Sequence, residues 1–336
     1  MAPTPLMAAT GVVMIAIVGA SAAAWLWIVQ RSRQGDELLA YEPRRRMPWS
    51  GAQLLALLLA YLLLHVGFNR VALDWAHSQP NQPAAGAALP REPRTEPHDV
   101  AESPQADSGD EHAKSNRALS IPELKAVLLL NVVVNLLFAL AVIAVLRCGR
   151  ARAAWADLGL PLTRLFSDLR AGAIGFIAAS VPVQLLNVVL NLVLSENWKG
   201  EHPIVTFLSE TSELSGVLIA TGAAVAVAPL VEELLFRVVL QGWLEAHEPR
   251  LVAAPASPSG RTPVAWRPIV VTSASFALLH GAQGPAPVIP LFGLALVLGY
   301  LYQRTHRIWA SVTLHFLFNL TSLLALWVTL STKASQ

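Results

Sequence analysis

Residues 215–243 read SGVLIATGAAVAVAPLVEELLFRVVLQGW. A helix that crosses a bilayer needs about 20 consecutive, mostly apolar residues, and this run exceeds that length. It nevertheless carries two adjacent carboxylates, Glu232 and Glu233, and the guanidinium of Arg237. Charged side chains at the centre of such a helix cost roughly 2.5–3.5 kcal/mol each on insertion scales, so they mark function by default. Working outward, seven further apolar runs are candidate spans: Ala8 to Val29, Ser50 to Phe68, Pro122 to Leu146, Ala171 to Leu194, Ile269 to Gly281, Pro287 to Tyr302 and Ile308 to Leu330. The expected fold is therefore all-α, a polytopic transmembrane helix bundle of about eight spans. Composition agrees. The chain is 54% hydrophobic and 14% charged, against roughly 25% charged in soluble domains. A net charge of +2, with no basic stripe interleaved with aromatics, argues against nucleic acid as a partner. The single cysteine, Cys148, rules out an intrachain disulfide.

Arginines crowd alternate connections. Arg31, Arg33 and Arg44 to Arg46 follow the first span, Arg147 to Arg170 the third, Arg250 to Arg267 the fifth, and Arg304 and Arg307 the seventh. Basic loops stay cytoplasmic, so both termini are expected outside. The first span has arginines after it rather than before it, which reads as an anchor and not a cleaved signal. The Ala- and Arg-rich composition points to a bacterial inner (plasma) membrane, multi-pass. Three regions follow: an N-terminal transmembrane helix pair (1–69), an acidic, Pro-rich extracytoplasmic loop expected to be disordered (70–120), and a membrane core (121–330).

Three polar clusters break the apolar runs of that core. Glu233 and Arg237 are four residues apart and share a helix face, where they can pair. Glu232 points about 100° away and is expected to sit unpaired in a drier setting suited to general-base work. The second cluster is Phe276 followed by His280, the third His315 followed by Asn319, each again four apart. His65, in the second span, lies far from these clusters in sequence and carries little weight. Together the clusters hold what peptide hydrolysis requires: Glu232 and His280 to activate water, and His315 and Asn319 to stabilise an oxyanion. No cofactor is then needed. The alternative is zinc held by Glu232, His280 and His315, two histidines and a glutamate with an open position. A third reading is a non-catalytic immunity or adaptor protein. HExxH, GxSxG and paired intramembrane aspartates are all missing from the sequence.

At these residues the chain resembles the CPBP intramembrane proteases, also called the Abi or CAAX-protease and bacteriocin-processing family. The family pattern is Glu-Glu-x-x-x-Arg, then Phe-x-x-x-His, then His-x-x-x-Asn, and here it runs in order through Glu232, Glu233 and Arg237, Phe276 and His280, His315 and Asn319. The stretch Trp155 to Leu160 also looks like the segment preceding the family's core helices. The resemblance implies a glutamate-type intramembrane endopeptidase. Glu232 and His280 would activate water, and His315 and Asn319 would form the oxyanion hole. The partners implied are the lipid bilayer and a membrane-associated protein or peptide cut near one end.

Overall fold

The computed structural model describes residues 5–43, 47–78, 121–194, 208, 213–252 and 264–334. Eight principal helices occupy them: α1 (Pro5–Gln34), α2 (Gly51–Ser78), α3 (Ile121–Cys148), α4 (Leu165–Leu194), α5 (Leu214–Ala246), α6 (Trp266–Leu279), α7 (Val288–Thr305) and α8 (Ile308–Ala334). No strand occurs among the described residues. Six of these helices are long and apolar enough to span a membrane; the apolar stretches Gly51–Gly67 and Trp266–Leu279 are shorter. In hydrocarbon every backbone N–H and C=O must find a partner inside the protein, and helices meet that demand within each segment. The chain is a polytopic helical membrane protein. Of the expected disordered loop, residues 79–120 lie outside the described residues, while α2 continues to Ser78, past the expected boundary at residue 69.

The outer surface is apolar. Leu137, Leu140, Leu185, Val188 and Leu192 all stand exposed on α3 and α4. A soluble domain does not leave so continuous an apolar surface uncovered. The interior holds apolar side chains such as Phe236, Phe276 and Tyr302, and also small and polar residues. Gly172 of α4 comes so close to α8 that a Cβ there would lie 2.4 Å from the Ala310 carbonyl oxygen and 2.6 Å from Thr313 Cβ. Small residues allow this backbone approach, which drives helix association where lipid tails are as apolar as leucine. α1 also packs on α4, and Trp25 donates through Nε1 to the Ala178 carbonyl at 2.9 Å.

At one end of the bundle the connection after α1 is tied to the α7–α8 turn. Arg304 pairs with Glu37 at 2.7 Å and donates through Nε to the Leu39 carbonyl, also at 2.7 Å. Arg307 grips Asp168 of α4 through Nε (2.6 Å) and Nη2 (2.8 Å), and also binds Glu42, which Arg164 reaches from the start of α4 at 2.9 Å. The connections after α1, before α4 and between α7 and α8 thus meet at a single end, as the alternating arginine pattern requires. The Trp155 to Leu160 stretch docks there too. Gly159, at φ +67, accepts from the Ile308 N–H at 3.0 Å, and the Leu160 carbonyl accepts from Trp309 Nε1 at 3.3 Å. This segment sets the start of α8, the helix that carries His315 and Asn319.

Candidate active site

α5 is irregular. Its motif turn, Ala228–Glu233, is flanked by π-helical stretches at Ala223–Val227 and Leu234–Gln241. Pro229 supplies a reason: it has no N–H to give and its ring crowds the carbonyl one turn back, so the helix widens. The wide turns rotate the following residues relative to a regular helix. α6 ends at Leu279, and a 3₁₀ turn, His280–Gln283, follows before Gly284. His280 therefore projects from a helix end, not from mid-helix. His315 and Asn319 sit one turn apart on α8.

These elements bring the motif side chains together. Arg237 Nε donates to Glu233 Oε2 at 3.1 Å, both side chains being fully buried. His315 donates through Nδ1 to Glu233 Oε1 at 3.0 Å. Glu233 is thereby committed to α5 and α8 at once. Glu232 looks the other way, its Oε2 3.7 Å from His315 Nε2 and its Oε1 4.0 Å from His280 Nε2. His280 Nδ1 lies 2.8 Å from the Phe276 carbonyl, which can only accept. Nδ1 therefore carries the proton, and Nε2 is the nitrogen offered to Glu232. Phe276 also packs against the His280 ring at 4.6 Å, tilted by 40°, and meets the His315 ring edge-on at 5.8 Å. Asn319 donates to the Ala224 carbonyl at 2.9 Å, in the first π-helical stretch. A widened turn frees a carbonyl, and Asn319 satisfies it with one of its two N–H groups.

Two expectations need correction. Glu232 is the wetter carboxylate, with 15% of its side chain exposed against none of Glu233. Glu233 faces into the α5–α8 seam, whereas Glu232 reaches towards His280 at the end of α6. His65 is also closer to the chemistry than its place in the sequence suggests. Its ring lies 4.1 Å from that of Tyr61, which in turn meets Phe236 of α5, one turn from Glu232. Neither His65 nor Tyr61 carries a spacing signal, because α2 is separated from α5 by more than 100 residues.

Buried polar groups continue behind the site, and those after Arg237 lacked a motif to flag them. Arg237 Nη1 and Nη2 are buried with no hydrogen-bond partner among the described residues. Its guanidinium lies 5.7 Å from the Phe276 ring centroid, within the range of a cation–π contact. Towards the end of α5, Gln241 donates to Glu245 (2.7 Å) and to the Gly299 carbonyl (2.8 Å). Gln303 exchanges hydrogen bonds with the Ala265 backbone, at 2.9 Å to its N–H and 3.0 Å to its carbonyl. This layer clamps α5, α6 and α7 together below the site. A groove of about 290 Å³ between α4, α7 and α8 is lined by Val183, Gln184, Pro290, Leu291, Phe318 and Ser322 among others, and by none of the motif residues. Among the described residues no group of three or more His, Cys, Asp or Glu side chains converges as metal ligands do.

Three helices thus deliver one carboxylate between two imidazoles, with a second carboxylate locked behind it. Residues 214–321 match the family of type II CAAX prenyl endopeptidase Rce1-like proteins. The Rce1-like segment covers about a third of the chain and holds all seven motif residues. It bears out the resemblance carried by the three motifs, and supports a CAAX-type intramembrane protease, hence a hydrolase, on a multi-pass helical scaffold. No curated protein and no solved structure matches the chain significantly.

Proposed function

We propose that the protein is a glutamate-type intramembrane endopeptidase of the bacterial inner membrane. It hydrolyses a peptide bond near one end of a membrane-associated protein or peptide. The observation that supports this most directly is the position of Glu232, with a ring nitrogen of a different helix near each carboxylate oxygen, at 4.0 and 3.7 Å. The 4.0 Å gap is one that a single water spans, with hydrogen bonds of about 2.8 Å to Glu232 and to His280 Nε2. The water oxygen attacks the scissile carbonyl carbon as its proton passes to Glu232. The carbonyl electrons move to oxygen, which then needs donors. Asn319 has a second N–H beyond the one bound to Ala224. His315 has spent Nδ1 on Glu233, so Nε2 is the nitrogen it has left for the oxyanion. When the C–N bond breaks, the proton held between Glu232 and His280 goes to the leaving amine. Glu233 and Arg237 keep His315 in place and touch no substrate.

No step in this scheme needs a metal, so 1,10-phenanthroline should leave turnover unchanged. Loss of turnover, restored by added zinc, would instead favour zinc on Glu232, His280 and His315. The reading as a whole is tested by comparing membrane proteomes of cells that carry the wild type or Glu232→Gln. Proteins that accumulate with uncut termini sharing a motif are the expected result. Identical termini, with the variant inserted normally, would sink the protease reading in favour of a non-catalytic immunity or adaptor protein.

A further inference from the structure

α2 lies outside the Rce1-like segment, yet it stands beside the Glu232 site. Tyr61 meets Phe236 edge-on at 6.4 Å, Phe236 meets Phe276 edge-on at 5.4 Å, and Phe276 packs tilted against His280 at 4.6 Å. A continuous run of rings therefore connects α2 to the imidazole that faces Glu232. His65 adds its own ring to that run, 4.1 Å from Tyr61 and tilted by 42°. Phe236 follows Glu232 by four residues on α5, so Tyr61 packs close to the turn that carries the carboxylate, and the charge of Glu232 is felt at both α2 side chains. Polar side chains in an apolar helix of a membrane protein are costly and seldom face lipid.

The hydrogen-bonding capacity of the two groups is complementary. His65 Nδ1 lies 3.2 Å from the Tyr61 carbonyl. A carbonyl only accepts, so Nδ1 bears the hydrogen and Nε2 is left as an acceptor. The Tyr61 hydroxyl can donate. An extended peptide that enters a membrane core exposes one N–H and one C=O per residue, and each must be satisfied by protein. Helices α5, α6 and α8 already supply the groups that act on the scissile bond, while α2 offers one donor and one acceptor on the same site.

We propose that Tyr61 and His65 form the wall that holds an extended substrate peptide against Glu232 and His280. Tyr61 donates to a peptide carbonyl, and His65 Nε2 accepts from a peptide N–H. The holding role rests on the protease reading; the juxtaposition of α2 with Glu232 does not. Both are positioning residues, and an unwound, extended segment is the class of substrate they select.

Two measurements on the full chain in proteoliposomes test the proposal. The first follows cleavage of an internally quenched, farnesylated CaaX-type peptide. Tyr61→Phe removes only the donor, and His65→Phe keeps the ring contact while removing the acceptor. Each should lower kcat/KM about tenfold, mainly through KM, a loss of the size expected for one hydrogen bond. His65→Asn should recover part of it, and thermal unfolding should not move. The second needs no activity. Carbethoxylation of His65 by diethyl pyrocarbonate, read by mass spectrometry, should change in rate at least twofold when Glu232 becomes Gln. The exposed His247 at the end of α5 should react unchanged. Wild-type kcat/KM in both phenylalanine variants would overturn the holding role. An unchanged His65 rate in Glu232→Gln would overturn the juxtaposition. If the rate changes but the wild type cleaves nothing, the holding role falls with the protease reading and the α2 wall stands.

Discussion

Glu232 and Glu233 are neighbours in the chain, and their surroundings separate their tasks. Glu233 accepts from Arg237 and His315 and is fully buried. Removing one partner of a buried ion pair strands the other charge, at a cost of about 3–5 kcal/mol. Arg237→Ala should therefore unfold the core well below the wild-type temperature, as followed by thermal scanning in detergent. Asn319→Ala is expected to behave differently. It forfeits one hydrogen bond to Ala224, worth about 1 kcal/mol, and an oxyanion donor, whose loss lowers kcat about 100- to 1,000-fold. A variant that inserts and melts almost normally but turns over slowly is the expected outcome. Normal turnover would remove Asn319 from the mechanism. At this scale the sequence was informative, because the spacing of four in Glu233/Arg237, Phe276/His280 and His315/Asn319 is a property of a single helical turn. It was misleading about which carboxylate is drier, because burial depends on what lies opposite, and α8 covers Glu233.

Among the elements, α5 and α8 decide the site. The first π-helical stretch of α5, Ala223–Val227, follows from Pro229, visible in the sequence, but the second, Leu234–Gln241, lies beyond the turn that proline crowds and has no such signal. The second turn of this kind carries Phe236 and Arg237 to the same side as Phe276. α8 is held against α4 by the contact at Gly172. A methyl group there would press on the Ala310 carbonyl at 2.4 Å, backbone that cannot swing aside. Gly172→Ala should thus cost about 1–3 kcal/mol, the usual penalty of overpacking, and lower the melting temperature. Gly222→Ala, on α5 with nothing within 4 Å, should not. Equal melting temperatures for the two variants would count against the close α4–α8 approach. The α2 contribution belongs to this scale too. An imidazole in an apolar run says only that something is unusual, and only packing brings it to Glu232.

At the scale of the whole molecule, the strap after α1 fastens the N-terminal helices to the protease core through Glu37, Glu42 and the α7–α8 turn. The hydrogen bond from Arg307 comes first among the influences on Glu42, joined by the charges of Arg307 and Arg164, and holds its carboxyl below the ordinary glutamate range despite partial burial. A carboxyl whose folded pKa is depressed adds stability above its unfolded pKa and loses it as pH falls through the folded value. Melting temperature should therefore drop as pH is taken down from the ordinary glutamate range, and Glu42→Gln should flatten that fall. An identical pH slope in the variant would show that the strap carries no linked charge. The arginines that make this end basic are the same ones whose alternation predicts topology, and their ion pairs explain why the loops they occupy meet.

By itself the sequence determined the helices, the membrane as solvent and the three motifs that fall within the Rce1-like match, because each depends on composition or on the periodicity of one helix. Only the tertiary structure decided which carboxylate is the less buried, what Asn319 already binds, and that Tyr61 packs on the helix that carries Glu232. These depend on the relative placement of helices far apart in the chain. That placement is set by close backbone approach, widened helical turns and a charged strap at one end, none of which leaves a periodic trace in the sequence.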